Sequence, residues 1–277
     1  MKKIALALLS TVFLTILSVT PAAAQDWAQA KLKSSSRHRE WATVKHDSRS
    51  VQTFVVYPEA KDKKPVVLII HEIFGLSDWI EDLAEQVAAA GYIAVAPDLL
   101  SGLGPNGGRT TSFAPDKVRE AISHLNPDQV TADLNAAADY GLKLPAAEHK
   151  LFVAGFCWGG SQSFRFATNR PDLAAAFVFY GTAPMKPDTL GTPDPDALGR
   201  IKAPVYGFYA GNDERIGATL PATQSAMKQV GKTFEQVIYD GAGHGFMRAG
   251  EAPDANEANK KARDEAWARW KKLMQEH

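Results

Sequence analysis

The chain has 277 residues, 45% of them hydrophobic, and its 31 basic and 31 acidic side chains cancel to a formal net charge of zero. That balance excludes a nucleic-acid partner, which needs a basic face to neutralise phosphates, and the length suits one α/β domain with a full core. A single cysteine, Cys157, excludes an internal disulfide, and no His, Cys, Asp or Glu spacing implies a metal or other cofactor.

In chain order, Met1-Lys2-Lys3, the apolar run Ile4 to Val19 and Ala22-Ala23-Ala24 match the three regions of a secretory signal peptide, with cleavage expected between Ala24 and Gln25. The apolar run is short for a membrane span. Removing residues 1–24 leaves 253 residues with a formal charge of −2, because Lys2 and Lys3 leave with the signal. The expected location is the periplasm or the exterior, with no membrane partner after processing. Residues 25–50 read as an N-terminal lead-in, loosely packed from Ala28 to His38, ahead of one domain over 51–277.

Val51 to Tyr57 alternates as an early or edge strand and ends at Pro58. Pro65 to Ile70 is a continuous β-branched run, the pattern of a strand buried on both faces. Trp79 to Ala90 is helical and closes at Gly91, and Tyr92 to Ala96 is a second buried strand. Pro127 to Leu144 reads as a long helix with Asp128 near its start. Leu151 to Ala154, Ala174 to Tyr180, Val205 to Tyr209 and Phe234 to Tyr239 are further strands, and helices are expected over Ala218–Val230 and Ala255–Met274. This alternation predicts a mainly parallel sheet with helices on both faces. Two irregular segments, Ser101–Ser112 and Thr182–Gly199, follow strand C-termini, where open α/β sheets place their ligand crevice.

Gly155-Phe156-Cys157-Trp158-Gly159 lies between a strand and a helix. A nucleophile between two glycines on such a turn is the nucleophile elbow of α/β-hydrolases, here with cysteine. Side chains at 155 and 159 would collide as the chain reverses. The helix starting after Cys157 aims free N–H groups at the sulfur and favours thiolate. A lone thiol in an oxidising compartment is either buried and inert or reactive. A recessed elbow position fits poorly with an intermolecular disulfide, so the protein is expected to be a monomer.

A cysteine nucleophile needs a base, an acid to orient it and an oxyanion site. The order nucleophile, acid, histidine is met by Asp213, 56 residues after Cys157, and His244, 31 residues further on, each following a strand. Asp240 and Glu214 are rival acids. His38, His46, His124, His149 and His277 read as surface or structural. His71-Glu72-Ile73-Phe74-Gly75 follows the buried strand at 65–70, which nominates the amides of Ile73 and Trp158 for the oxyanion. Glu72 is unusual there, since a carboxylate beside a thiol opposes thiolate formation.

Together, His-Glu-Ile-Phe-Gly, Gly-Phe-Cys-Trp-Gly-Gly, Gly-Asn-Asp and His-Gly-Phe resemble the dienelactone hydrolase family of α/β-hydrolases, from about Val51 to the C-terminus. The resemblance implies a Cys157–His244–Asp213 triad that opens a small-molecule ester or lactone through a thioester acyl-enzyme. It also implies that Glu72 holds the resting thiol neutral by a hydrogen bond and promotes thiolate formation once substrate displaces it. Arg248, four residues after His244, matches an arginine that takes part in this switch and binds the substrate carboxylate. Dienelactone-specific members carry a second arginine just after Pro-Asp-Leu. Here Pro97-Asp98-Leu99-Leu100 is followed by Ser101-Gly102-Leu103-Gly104, and Arg109 is the first arginine able to serve from the loop. A broader ester, lactone or thioester substrate is therefore expected. The alternatives are a non-catalytic ligand-binding protein or another acyl hydrolase, such as a thioesterase or peptidase, on the same fold.

Overall fold

The structure is a computed structural model that describes residues 25–187 and 191–277. The expected signal peptide, residues 1–24, lies outside the described residues. The elements in chain order are α1 (Asp26–Ser34), β1 (Arg39–His46), β2 (Arg49–Val56), β3 (Lys64–Ile70), α2 (Asp78–Ala89), β4 (Ile93–Pro97), α3 (Pro115–Ser123), α4 (Pro127–Lys143), β5 (Ala147–Phe156), α5 (Trp158–Asn169) and β6 (Leu173–Phe179). They continue with α6 (Pro195–Gly199), β7 (Val205–Ala210), α7 (Glu214–Gly217), α8 (Leu220–Gln229), β8 (Phe234–Tyr239), α9 (Phe246–Ala249) and α10 (Glu257–Glu276).

Eight strands form one sheet in the order β1-β2-β4-β3-β5-β6-β7-β8. The β1–β2 and β2–β4 pairs are antiparallel, and every pair from β4 to β8 is parallel. Helices cover both faces, which explains the unbroken apolar strands. In β3, Val67 and Ile69 point to one core, while Val66, Leu68 and Ile70 point to the other. β5 divides the same way, with Phe152, Ala154 and Phe156 against α2 and α10, and Leu151 and Val153 against α4 and α5. Trp79 and Trp270 are fully buried in the first core, and burial of each indole contributes roughly 4–6 kcal/mol.

The segment expected to be loosely packed is built into the fold. α1 buries Ala28 and Leu32, and the Gln25 side-chain oxygen accepts the Trp79 N–H at the start of α2 (2.6 Å). β1 is an edge strand with mostly half-buried residues, and His46 contacts Asp133 of α4 at 2.7 Å. Its polar sequence hides it because only one face is covered. Helix α4 starts as expected, but its cap is Asn126, which accepts the Asp128 N–H at 2.8 Å; Asp128 is the residue inside the cap.

The parallel strands end at one edge of the sheet. The loops after β3, β5, β6, β7 and β8 therefore meet there, as the topology of open α/β sheets requires. At the centre, β5 runs directly into α5 through Cys157, whose φ of +58° is left-handed. A Cβ on Gly155 would lie 1.9 Å from the Gly159 carbonyl oxygen, and one on Gly159 would lie 2.3 Å from the His71 carbonyl oxygen. Gly159→Ala is expected to destabilise the protein by about 3 kcal/mol or more, since the clash is with backbone that cannot turn aside. Thermal unfolding tests this, and an unchanged midpoint would show that the turn has slack the geometry does not suggest.

Candidate active site

Cys157 sits at the tip of the turn, with its N–H donating to the Phe179 carbonyl at the end of β6 (3.1 Å). A left-handed non-glycine residue costs about 1–3 kcal/mol and persists only where its surroundings over-determine it. Here the glycine contacts on one side and β6 on the other do so. The strain aims Sγ out of the sheet edge, 3.1 Å from His244 Nε2. His244 is held from the other side, its Nδ1 hydrogen-bonded to Asp213 Oδ2. Asp213 caps α7, its Oδ1 accepting the Ile216 N–H at 3.3 Å, so the capping contact orients its free oxygen at the imidazole. Neither rival acid takes this place.

Burial pulls the His244 pKa down, but the hydrogen bonds to Cys157 and Asp213, and then their charges, outweigh it and raise it to about 8. The thiol and a ring that readily holds its proton are thus within transfer distance. Above the ordinary value of 6.5 the folded state keeps a proton that the unfolded chain would lose. The contribution to stability is therefore complete below pH 6.5 and fades as pH rises through about 8.

A second pair lies beside this line. Glu72, 1% exposed, accepts from Arg248 Nε at 2.7 Å. The Glu72 charge, ahead of the opposing effect of burial, raises the Arg248 pKa. The expected hydrogen bond from the thiol to Glu72 is therefore corrected: here the carboxylate is engaged by Arg248, whose full charge outcompetes a weak S–H donor, and the thiol by His244. Behind them His71 is fully buried, its pKa lowered by burial first of all. Its Nδ1 lies 2.8 Å from the Glu72 carbonyl oxygen and so carries the proton, while Nε2 accepts the Leu99 N–H at 3.4 Å. The ring stacks on Trp158 at 5.6 Å between centroids, bracing the two turns that carry Ile73 and Trp158.

These groups line a cavity of about 550 Å³, with Glu72, Ile73, Cys157, Trp158, His244 and Arg248 all on its wall. Arg109 is not among them. Its guanidinium lies 3.8 Å from the Trp41 ring centroid and its Nη1 is 3.6 Å from buried Asp98. The placement of Arg109 in the substrate pocket is therefore corrected: the 101–112 loop turns it toward β1, where an indole face and a buried carboxylate both attract the cation. Among the wall residues that escaped the sequence reading are Tyr180, Arg119 and Arg215. The position of Tyr180 just past a parallel strand was a usable signal. Burial first, then the Glu72 charge, raises its pKa well above the usual value, so it stays a neutral phenol. Nothing in the local sequence marks the arginines, which come from short helices in loops.

The dienelactone hydrolase family profile matches residues 51–277. The chain belongs to the dienelactone hydrolase family. A carboxymethylenebutenolidase-type relative from Salmonella typhi is 33% identical over 219 residues, covering 76% of this chain and 77% of the relative. One from Saccharolobus solfataricus is 30% identical over 264 residues, covering 82% and 95% respectively. A dienelactone hydrolase-type structure from Klebsiella pneumoniae superposes with a TM-score of 0.75 at 24% identity, over 88% of this chain and 100% of the other. The fold is thus the α/β-hydrolase fold, and this dienelactone hydrolase family member is a hydrolase of esters or lactones.

The His244 ring is expected to titrate near pH 8, and Asp213→Asn to move its midpoint downward because a carboxylate charge and acceptor are lost. NMR of the imidazole resonances reads both values. A midpoint indifferent to Asp213 would break the link drawn between the two residues.

Proposed function

We propose that this protein is an exported cysteine hydrolase that opens a carboxylic ester or lactone through a thioester acyl-enzyme. The observation that carries the reading is the 3.1 Å approach of Cys157 Sγ to a His244 whose other nitrogen is held by Asp213. His244 Nε2 takes the thiol proton, and the sulfur attacks the carbonyl carbon. The N–H groups of Ile73 and Trp158 hold the oxyanion that forms. Collapse expels the alkoxide, which takes the proton from His244 and leaves a Cys157 thioester. Water then gives a proton to His244 and attacks the thioester. The carboxylic acid departs, and the sulfur regains its proton. Asp213 orients the ring and stabilises the imidazolium.

Glu72 and Arg248 add a trigger. A substrate carboxylate entering the cavity competes with Glu72 for the guanidinium, and a displaced Glu72 lies on the same wall as the thiol. A carboxylate released from its ion pair inside a buried site is a strong proton acceptor, so substrate binding itself promotes thiolate formation.

Purified protein is expected to hydrolyse members of a panel of p-nitrophenyl acetate, a long-chain p-nitrophenyl ester, a dienelactone and an acyl thioester. Cys157→Ala should abolish this turnover, and Asp213→Asn should lower kcat roughly 10²–10⁴-fold. Near-normal rates in either variant would sink the triad. Export is supported by the basic, apolar and Ala-rich order of residues 1–24. Expressed with its own N-terminus, the protein should be recovered outside the cytoplasm beginning at Gln25. Recovery in the cytoplasm with residues 1–24 attached would overturn that assignment.

A further inference from the structure

The active-site cavity holds more positive charge than the proposed chemistry uses. Its wall carries three arginines, Arg119, Arg215 and Arg248, against one glutamate, Glu72. Arg248 and Glu72 neutralise each other at 2.7 Å. Among the described residues, Arg119 and Arg215 form no ion pair, and both are exposed. Of the neighbouring acids, Glu120 pairs with Lys117 at 3.1 Å, Asp213 is bound to His244, and Glu214, directly before Arg215 on α7, forms no ion pair with it. The whole chain has a formal charge of zero, so a surplus of two positive charges on one cavity wall is not the overflow of a basic protein. A cleft lined by one sign of charge focuses the field and concentrates ligands of the other sign.

The two arginines come from separate helices, α3 and α7, and each is tied to the reaction centre. Val118 and Ile122 of α3 pack with Leu100 against Ile73 and Trp158. This fixes α3, and Arg119 with it, relative to the two amides proposed for the oxyanion. Arg215 lies between Asp213, whose side chain caps α7, and Ile216, which is buried. Movement of either arginine backbone would disturb the machinery, so both guanidinium groups project from anchored positions rather than from free loops.

We propose that Arg119 and Arg215 form an anion subsite that selects substrates carrying two negative charges away from the scissile bond, as two carboxylates or one phosphate monoester. Two guanidinium forks with no carboxylate partner match two negative charges, and each can bind carboxylate or phosphate oxygens bidentately. The proposal rests on the hydrolase reading for the reaction, but the binding step needs no turnover and can be measured alone.

The test is calorimetric titration of the wild-type protein with butyrate, glutarate and butyl phosphate, alongside their inhibition of p-nitrophenyl acetate hydrolysis. Both dianions, or one of them, should bind at least about tenfold more tightly than butyrate, and the better one names the chemical form. That advantage should shrink by about tenfold or more in the Arg119→Ala/Arg215→Ala protein, and also at high salt, where exposed charges are screened. Equal binding of all three acids, or an advantage that survives the double substitution, would overturn the subsite. Ester turnover without any dianion preference would reject the subsite and leave the hydrolase reading standing. Dianion preference without turnover would do the reverse.

Discussion

Everything at this site depends on how closely the β5–α5 turn approaches the neighbouring backbone. Gly155 faces the Gly159 carbonyl, and Gly159 faces the carbonyls of Ile70 and His71, at distances that leave no room for a Cβ. That contact bends the chain sharply enough to push Cys157 into a left-handed conformation and to lift its sulfur clear of the sheet edge. It also brings the start of α5 against the end of β3. The turns bearing Trp158 and Ile73 are therefore neighbours, because they flank one backbone contact.

From this fixed point, the parallel sheet does the assembly. β5, β6, β7 and β8 lie side by side in sequence order, so the residues just beyond their ends stand along a single edge. Asp213 reaches His244 because their strands are adjacent, and His244 reaches Cys157 across the ends of β6 and β7, where Tyr180, just past β6, packs edge-on against the imidazole at 5.0 Å. The histidine is clamped by an acid, a sulfur and an aromatic ring, and its raised pKa follows from the first two. The Glu72–Arg248 pair borders the same cavity, and Arg248 is tied to the histidine's own loop, its N–H donating to the Gly245 carbonyl at 3.1 Å.

Much of this was legible in the residues. The strands with unbroken apolar runs, such as β3, are recognisable because burial on both faces tolerates no polar position. Cys157, Asp213 and His244 stand out because each follows a strand in the order that the fold demands. Edge and peripheral elements were harder to read. β1 has one covered face, α1 is a polar helix with only Ala28 and Leu32 buried, and α3, α7 and α9 are too short for a period to show. Arg109 could not be placed from sequence, since its direction depends on Trp41, a residue 68 positions earlier that reaches it only through the β1–β2 hairpin.

The sequence by itself determined the fold class, the elbow and the candidates for the residues around Cys157, because these rest on local patterns: burial periodicity, a strained turn that needs glycines, and chain order. Tertiary structure decided which acid faces the imidazole, that Glu72 is bound by Arg248, that Arg109 is turned away, and that Arg119 and Arg215 share the cavity. Each of those outcomes depends on the path of a loop between distant elements. A loop path is set by what it packs against, and no stretch of residues carries that information alone.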